Sequence, residues 1–322
     1  MTGLADMAEL VRAPAALSVP GDVLAGAAAA GTLGPAAAGL CAASVCLYWA
    51  GMAANDWADR ELDAAERPER PIPSGRVPAG TALRTATALT AAGLAAAGLA
   101  GGRRALAAAV PLAGLVWWYD TGLKPTAAGP AAMAACRGLD VLLGASGGAW
   151  RRAAVPALTV AAHTYTVTAL SRREVSGGGP ALPAATLAGT AAVTSVPAVA
   201  AARRPARAAP QVTAAARRAA AAGDAAAGQG QAAARPAVAG SWGRVLPGVL
   251  AGWYAANYGL PQVTALAEPS AGNMRAAVGA GITGLPVLQG ALIARAGGRR
   301  AAIAVAAAAP LGRRLARWLP AT

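Results

Sequence analysis

The chain has 322 residues, of which 56% are hydrophobic and only 13% charged, with a mean hydropathy of +0.44. Soluble globular chains carry about 25% charged residues, so this one has about half the charge needed to clothe a water-facing surface; a disordered chain is excluded and an ordinary cytosolic enzyme disfavoured. Lys and Arg outnumber Asp and Glu by 28 to 14, yet no basic run is interleaved with the aromatic platforms that nucleic-acid binding requires, and the excess reads as GC-rich coding bias and helix-end anchoring.

A helix that crosses lipid needs about 20 mostly apolar residues. In chain order such spans are expected at 10–31, 35–54, 79–100, 104–120, 129–149, 153–172, 181–202, 274–294 and 298–318. A further apolar piece at 244–264, interrupted by Pro247, Gly252, Gly259 and Pro261, is either a tenth span or an interfacial helix. The first span is too long and too poorly flanked for a cleaved signal peptide. Open sheets cannot span lipid and these segments do not alternate like barrel strands, so the expected fold is all-α. Gly and Ala inside the spans suit close helix packing. Residues 203–240, dominated by Ala, Gly and Gln with scattered Arg, read as a low-complexity linker. It divides one membrane domain into residues 1–202, with seven spans, and 241–322, with the C-terminal spans. Cys41, Cys46 and Cys136 lack pairing or metal-ligand spacing and read as small hydrophobes.

The acidic residues are concentrated. Six of the 14 fall between Asp56 and Glu69, in the stretch NDWADRELDAAERPERPIPSGR that starts at Asn55. At about 100° per residue, Asn55, Asp56, Asp59 and Asp63 share roughly one quadrant of a helix at the end of the second span. Three converging carboxylates repel one another unless a cation neutralises them. Oxygen ligands without His or Cys select Mg²⁺, which also binds substrate phosphates.

This string closely resembles the first aspartate-rich motif of the UbiA superfamily of intramembrane prenyltransferases. The resemblance implies a bundle of about nine transmembrane helices around a polar cavity open to the lipid. It also implies a Mg²⁺-dependent transfer of an isoprenyl group from a prenyl diphosphate to a small aromatic or lipophilic acceptor. The partners implied are those two substrates and membrane lipid, with no nucleic acid and no protein partner. The location implied is the cytoplasmic membrane of a bacterium, acidic motifs on the cytoplasmic side. Tyr119-Asp120-Thr121-Gly122-Leu123-Lys124 is similar to the family's YSxxxK element, whose Tyr and Lys serve the diphosphate region, and Lys124 is the only lysine. Together with the span MAACRGLDVLLGASG, it looks like the EboC-like branch.

Arg137 and Asp140 lie at i,i+3 inside that apolar span and can pair on one face, lining the acceptor end of the site or forming a structural ion pair. The second aspartate-rich motif departs from the family: Glu174 matches its last acidic position, but Leu170 stands where an Asp is expected, and Arg172 and Arg173 are close by. His163, the only histidine, shares a stripe with Glu174 and is either a cavity-wall contact to the acceptor or a buried structural group. The ligand set implied for Mg²⁺ is Asn55, Asp56, Asp59, Asp63 and Glu174, with Lys124, Arg70 and Arg172 on the diphosphate. The other reading is a non-catalytic protein of the same fold that binds or transports an isoprenoid or a secondary-metabolite precursor.

Overall fold

A computed structural model describes residues 3–203 and 238–318, so most of the expected linker lies outside the described residues. Every regular element among the described residues is helical. The order is α1 (Leu4–Leu10), a 3₁₀ turn (Ala13–Ser18), α2 (Pro20–Ala30), α3 (Pro35–Ala58), α4 (Arg60–Glu66), α5 (Ala79–Trp118), α6 (Gly129–Gly144), α7 (Ala154–Ser171), α8 (Ala181–Arg203), α9 (Val238–Ala267), α10 (Ala271–Ala296) and α11 (Arg299–Trp318). Five segments are long and apolar enough to cross a membrane: Pro35–Ala58, Ala79–Leu123, Trp150–Ser171, Ala181–Ala198 and Ala271–Ala296.

One segment differs from expectation. The span expected at 10–31 is broken. Arg12 takes a left-handed backbone at φ 46°, and Pro14 and Pro20 each withhold a helical N–H. Its α2 portion, 11 residues, is only about 17 Å long and reaches roughly halfway through a bilayer. The spans expected at 79–100 and 104–120 are the two halves of α5, which fold back on each other so that Trp117 Nε1 donates to Thr90 Oγ1 at 3.0 Å. The break between them is at Gly102, whose φ of 61° and ψ of −151° suit a residue without Cβ. Lastly, the interrupted piece at 244–264 lies in one continuous helix, the 30-residue α9, with Pro247 and Pro261 inside it.

The helices pack as two groups joined in the middle. α3, α5 and α6 surround one apolar cluster that includes Leu40, Leu47, Ala97, Ala109 and Leu112. α7, α9, α10 and α11 surround a larger one that includes Val160, Leu170, Tyr254, Tyr258, Met274 and Leu288. Helix α2 bridges them through glycine contacts too close for any side chain. A Cβ at Gly26 would meet the Val141 carbonyl oxygen of α6 at 1.8 Å, and one at Gly144 would meet the Val23 carbonyl oxygen at 2.0 Å. Lipid supplies no hydrophobic drive between helices, so small residues that let backbones approach supply the packing instead. The three cysteines are unpaired. In the second group, α7 and α8 are tied to α9 by side-chain bonds: His163 Nδ1 to the Tyr254 hydroxyl at 2.8 Å, Thr166 to Tyr258 at 3.0 Å, and Gln262 to Thr190 at 2.9 Å. Such bonds average about 0.6 kcal/mol in membranes, enough to set register but not to hold the bundle by themselves.

The connections separate into two ends. The α3–α5 connection, the α5–α6 turn, the α7–α8 connection and the α9–α10 turn lie at one end, where Lys124 meets Asp59, Arg172 meets the 124–126 turn, and Gly178 N–H bonds the Pro269 carbonyl. The α2–α3, α6–α7 and α10–α11 loops lie at the other, together with the Gly102 break. There Ala149 N–H bonds the Ala30 carbonyl, Gly101 lies against Ser146, and Gly298 packs on Leu33.

Candidate active site at the acidic end of the bundle

Helix α3 stops at Ala58 because Asp59, at φ −83° and ψ 1°, leaves helical geometry, and α4 restarts at Arg60. The acidic stretch is therefore two helices with a corner rather than one continuous face. Asn55, Asp56, Asp63 and Arg70 are nevertheless all buried. Arg70 unites the two helices: its Nη1 lies 2.6 Å from Asp63 Oδ2 and 3.5 Å from Asp56 Oδ1. Arg67 stands further off, 4.0 Å from Asp63.

Two more cations come from distant parts of the chain. Lys124, just past the turn of π-helix at Tyr119–Leu123, pairs with Asp59. Arg12 Nη2 lies 2.8 Å from Asp56 Oδ1, and its Nη1 lies 3.0 Å from the Met52 sulfur. The three motif carboxylates thus face three cations, Arg12, Arg70 and Lys124. A buried carboxylate without a partner costs several kcal/mol, and this pairing explains how the cluster is tolerated. Asp120, on the same π turn as the half-buried Tyr119, is buried and accepts a bond from Asn55 Nδ2 at 3.2 Å.

The N-terminal segment acts as a strap that brings Arg12 in. Leu10 is fully buried against Ala53, Ala54 and Val77. Arg76, from the loop that carries Arg70, pairs with Asp6 at 3.0 Å and Glu9 at 2.6 Å. The Gly3 backbone N–H and the Arg76 guanidinium hold the Asp6 carboxyl below its ordinary value of 3.8.

The donor set is Asn and Asp oxygens alone, and that chemistry fits Mg²⁺. In the described geometry Lys124 meets Asp59 while Arg70 is shared by Asp63 and Asp56, which also meets Arg12, and among the described residues no three His, Cys, Asp or Glu side chains gather about one point.

The other expected site residues are placed as follows. Arg172 is exposed and donates to the backbone carbonyls of Lys124 and Thr126, bracing the turn that carries Lys124. Glu174 lies in the turn after α7, and Arg275 of α10 donates to its backbone carbonyl at 3.2 Å. Burial raises the Glu174 carboxyl above its ordinary value against the pull of Arg275. Leu170 is fully buried within the apolar cluster of the second group. His163 is buried on Tyr254 and edge-on to Tyr258, in the seam between α7 and α9.

Arg137 and Asp140 do not pair with each other. Arg137 Nε lies 2.7 Å from Oδ2 of Asp22, a fully buried acid on α2 whose Oδ1 takes a bond from Gln289 of α10 at 2.7 Å. Asp140 takes its bond from Ser44 of α3 at 2.7 Å. Ser44 is 11 residues before Asn55 on α3, so this network lies about 16 Å along the helix from the acidic motif. The i,i+3 geometry allowed the internal pair, but α2 packs so closely on α6 that Asp22 reaches the guanidinium first.

A family model of the UbiA prenyltransferase family matches residues 19–202. The chain belongs to the UbiA prenyltransferase family. A curated relative, the digeranylgeranylglyceryl phosphate synthase of Ignicoccus hospitalis, is 47% identical over 68 residues, 21% of this chain and 22% of the relative. Among solved structures, one of a digeranylgeranylglyceryl phosphate synthase superposes with a TM-score of 0.62 at 15% identity, over 92% of this chain and 99% of the other. The apo structure of a UbiA homolog from Aeropyrum pernix K1 superposes with a TM-score of 0.51 at 21% identity, over 87% and 96%. These likenesses carry the fold: an all-α integral membrane bundle of the UbiA type.

Sequence reasoning missed Arg12, Asp22, Ser44 and Gln289 as partners in these clusters. Asp22 did carry a signal, since an acid inside an apolar segment needs a partner. Arg12 carried none. It stands 44 residues from Asp56 and only the left-handed turn aims it.

Proposed function

We propose that the protein is a prenyltransferase that moves an isoprenyl group from a prenyl diphosphate to a lipophilic acceptor within the membrane. The observation that carries this reading is the neutralised cluster of Asp56, Asp59 and Asp63 with Arg12, Arg70 and Lys124 at one end of a UbiA-family bundle. Cations poised on carboxylates have a second use. With a prenyl diphosphate and its metal bound, Asp56, Asp59 and Asp63 would serve as metal ligands, and Arg12, Arg70 and Lys124 would be free to meet phosphate oxygens. Asn55, Asp56, Asp59 and Asp63 would hold Mg²⁺, which neutralises charge developing on the leaving diphosphate.

Arg12 and Arg70 supply paired N–H donors, and Lys124 supplies a compact charge at the corner beside Asp59. The bond from the allylic carbon to the diphosphate oxygen breaks with its electron pair on oxygen. The acceptor then attacks the allylic cation and gives up a proton. The tail lies among apolar helix faces, where each buried CH₂ contributes about 0.8 kcal/mol. The names of the relatives favour a lipid-like acceptor over an aromatic one. Placement in the EboC-like branch, and a cytoplasmic location of the acidic end, rest on the sequence alone.

One observation favours the second reading, binding or transport without turnover: Leu170 is packed in the apolar core where a full second motif would offer a carboxylate. A single experiment separates the two. Purified protein with Mg²⁺ and prenyl diphosphates of several lengths is assayed for both binding and release of diphosphate, beside Asp59→Asn. Mg²⁺-dependent release that Asp59→Asn abolishes supports the transferase. Binding without release supports the carrier, and no Mg²⁺-dependent binding sinks both.

A further inference from the structure

The tail of the acidic stretch, from Pro71 to Arg76, takes no part in the proposed chemistry. Yet Arg76 is tied, through one residue each, to the backbone of both arginines that reach Asp56 Oδ1. Towards the strap, its Nη1 and Nη2 meet the two carboxylate oxygens of Glu9 at 2.6 and 2.9 Å, and Nη1 also meets Asp6 at 3.0 Å. The backbone carbonyl of that same Glu9 accepts the Arg12 N–H at 2.9 Å. Towards its own loop, Arg76 Nη2 donates to the Glu69 carbonyl at 2.7 Å and Nε donates to Ser74 Oγ at 3.1 Å. Ser74 Oγ in turn donates to the Arg70 carbonyl at 2.7 Å.

Arg12 needs such a brace. A residue with a side chain is strained at φ 46°, and that conformation persists only where both flanks are fixed. The 3₁₀ turn and α2 fix the C-terminal flank. The N-terminal flank is α1, whose seven residues are too few to hold a helix alone. It is fixed instead by Leu10, fully buried beside Val77, and by the two-pronged bond of Arg76 to Glu9. A diphosphate carries more negative charge than the one carboxylate that Arg12 meets without it. A strap that keeps Arg12 in place therefore favours the bound state, and by linkage the bound state favours the clasped strap.

We infer that Arg76 is a positioning residue: by clasping the N-terminal strap it holds Arg12 at the acidic end and so raises the affinity of that end for a diphosphate. The inference rests on the reading of the acidic end as a diphosphate site.

The test is equilibrium binding of farnesyl diphosphate with Mg²⁺, and of farnesol, to the full chain in detergent, with hydrogen exchange of residues 4–12 followed in the same samples. Arg76→Ala should weaken diphosphate binding by about fivefold and leave farnesol binding unchanged, whereas a general loss of structure would weaken both. Arg12→Ala should weaken diphosphate binding by at least about tenfold. Adding Arg76→Ala to it should cost nothing further, because the clasp acts through Arg12. Glu9→Gln keeps the shape of its side chain and loses the charge; it should act in the same direction as Arg76→Ala, and it carries the test if the alanine variant does not fold. Arg84→Ala, which removes an exposed arginine from the start of α5, should change nothing. Farnesyl diphosphate should slow exchange in the strap of the wild type and not in Arg12→Ala. A wild type that binds no diphosphate refutes the site and the inference with it. The inference alone falls, and the site stands, if diphosphate binding is intact in both clasp variants or if the Arg12 and Arg76 losses add. Equal losses for diphosphate and farnesol, an equal loss in Arg84→Ala, or strap exchange that ignores the ligand overturn it in the same way.

Discussion

Replacing Asp22 by Leu tests the deep network and the failure of the i,i+3 expectation together. Asp22 is fully buried and holds Arg137 Nε at 2.7 Å and Gln289 Nε2 at 2.7 Å. Removing one partner of a buried ion pair costs about 3–5 kcal/mol, because the remaining charge keeps its burial and loses its compensation. At roughly 2 °C per kcal/mol for a chain of this size, Asp22→Leu should lower the thermal midpoint of the detergent-solubilised protein by about 6–10 °C. Asp140→Asn should cost much less, since an amide oxygen can still accept from Ser44 and Arg137 keeps Asp22. The double variant Asp22→Leu/Arg137→Met should recover most of the loss, because a pair removed together leaves no orphan charge. The measurement is a set of melting curves on all four proteins in one detergent. If Asp140→Asn is the more damaging single change, Arg137 pairs along its own helix and the structural argument is wrong.

Three further outcomes are expected. Lys124→Ala should weaken binding of a prenyl diphosphate by at least about tenfold, the worth of a charge-assisted contact, and leave the corresponding prenyl alcohol unaffected; an equal loss for both ligands would make Lys124 an anchor for its turn. The strap over the acidic end should loosen in acid. The Asp6 carboxyl is held below 3.8 by the Gly3 N–H and Arg76, so its contribution is present above that value and is lost as pH falls through and below it. Hydrogen exchange in residues 4–10 should therefore rise below about pH 3.8 in the wild type and already be raised at neutral pH in Arg76→Ala; exchange independent of both would remove Arg76 as the clasp. Leu170→Asp should cost several kcal/mol, as an unpaired carboxylate in an apolar cluster does, and yield little folded protein. A folded variant with a lower half-saturating Mg²⁺ concentration would show instead that position 170 faces the acidic motif.

How much of this molecule was legible before its structure follows from the range of the forces involved. Membrane residence, an all-helical fold and the place of most helices depend on local sums of hydropathy over about 20 residues, which composition and spacing alone determine. The first motif was legible for a similar reason: Asn55, Asp56, Asp59, Asp63 and Arg70 lie within 16 consecutive residues, and short segments keep their neighbours whatever the fold. The break at 10–31 was half legible in Pro14 and Pro20. The break at Gly102 was legible as the gap between the spans expected at 79–100 and 104–120. What required the tertiary structure were choices among partners. Arg137 had an acid three residues away and took one 115 residues away, because glycines at 26 and 144 bring α2 within backbone contact of α6. His163 shares a stripe with Glu174 along α7, yet bonds Tyr254 because α9 packs on that stripe at its depth. Arg12 joins the acidic end through a single left-handed residue and a clasp formed by Arg76. In each case a buried charge or polar group must be satisfied by whatever the packing brings within 3 Å, and packing across helices is the quantity that no local window of sequence contains.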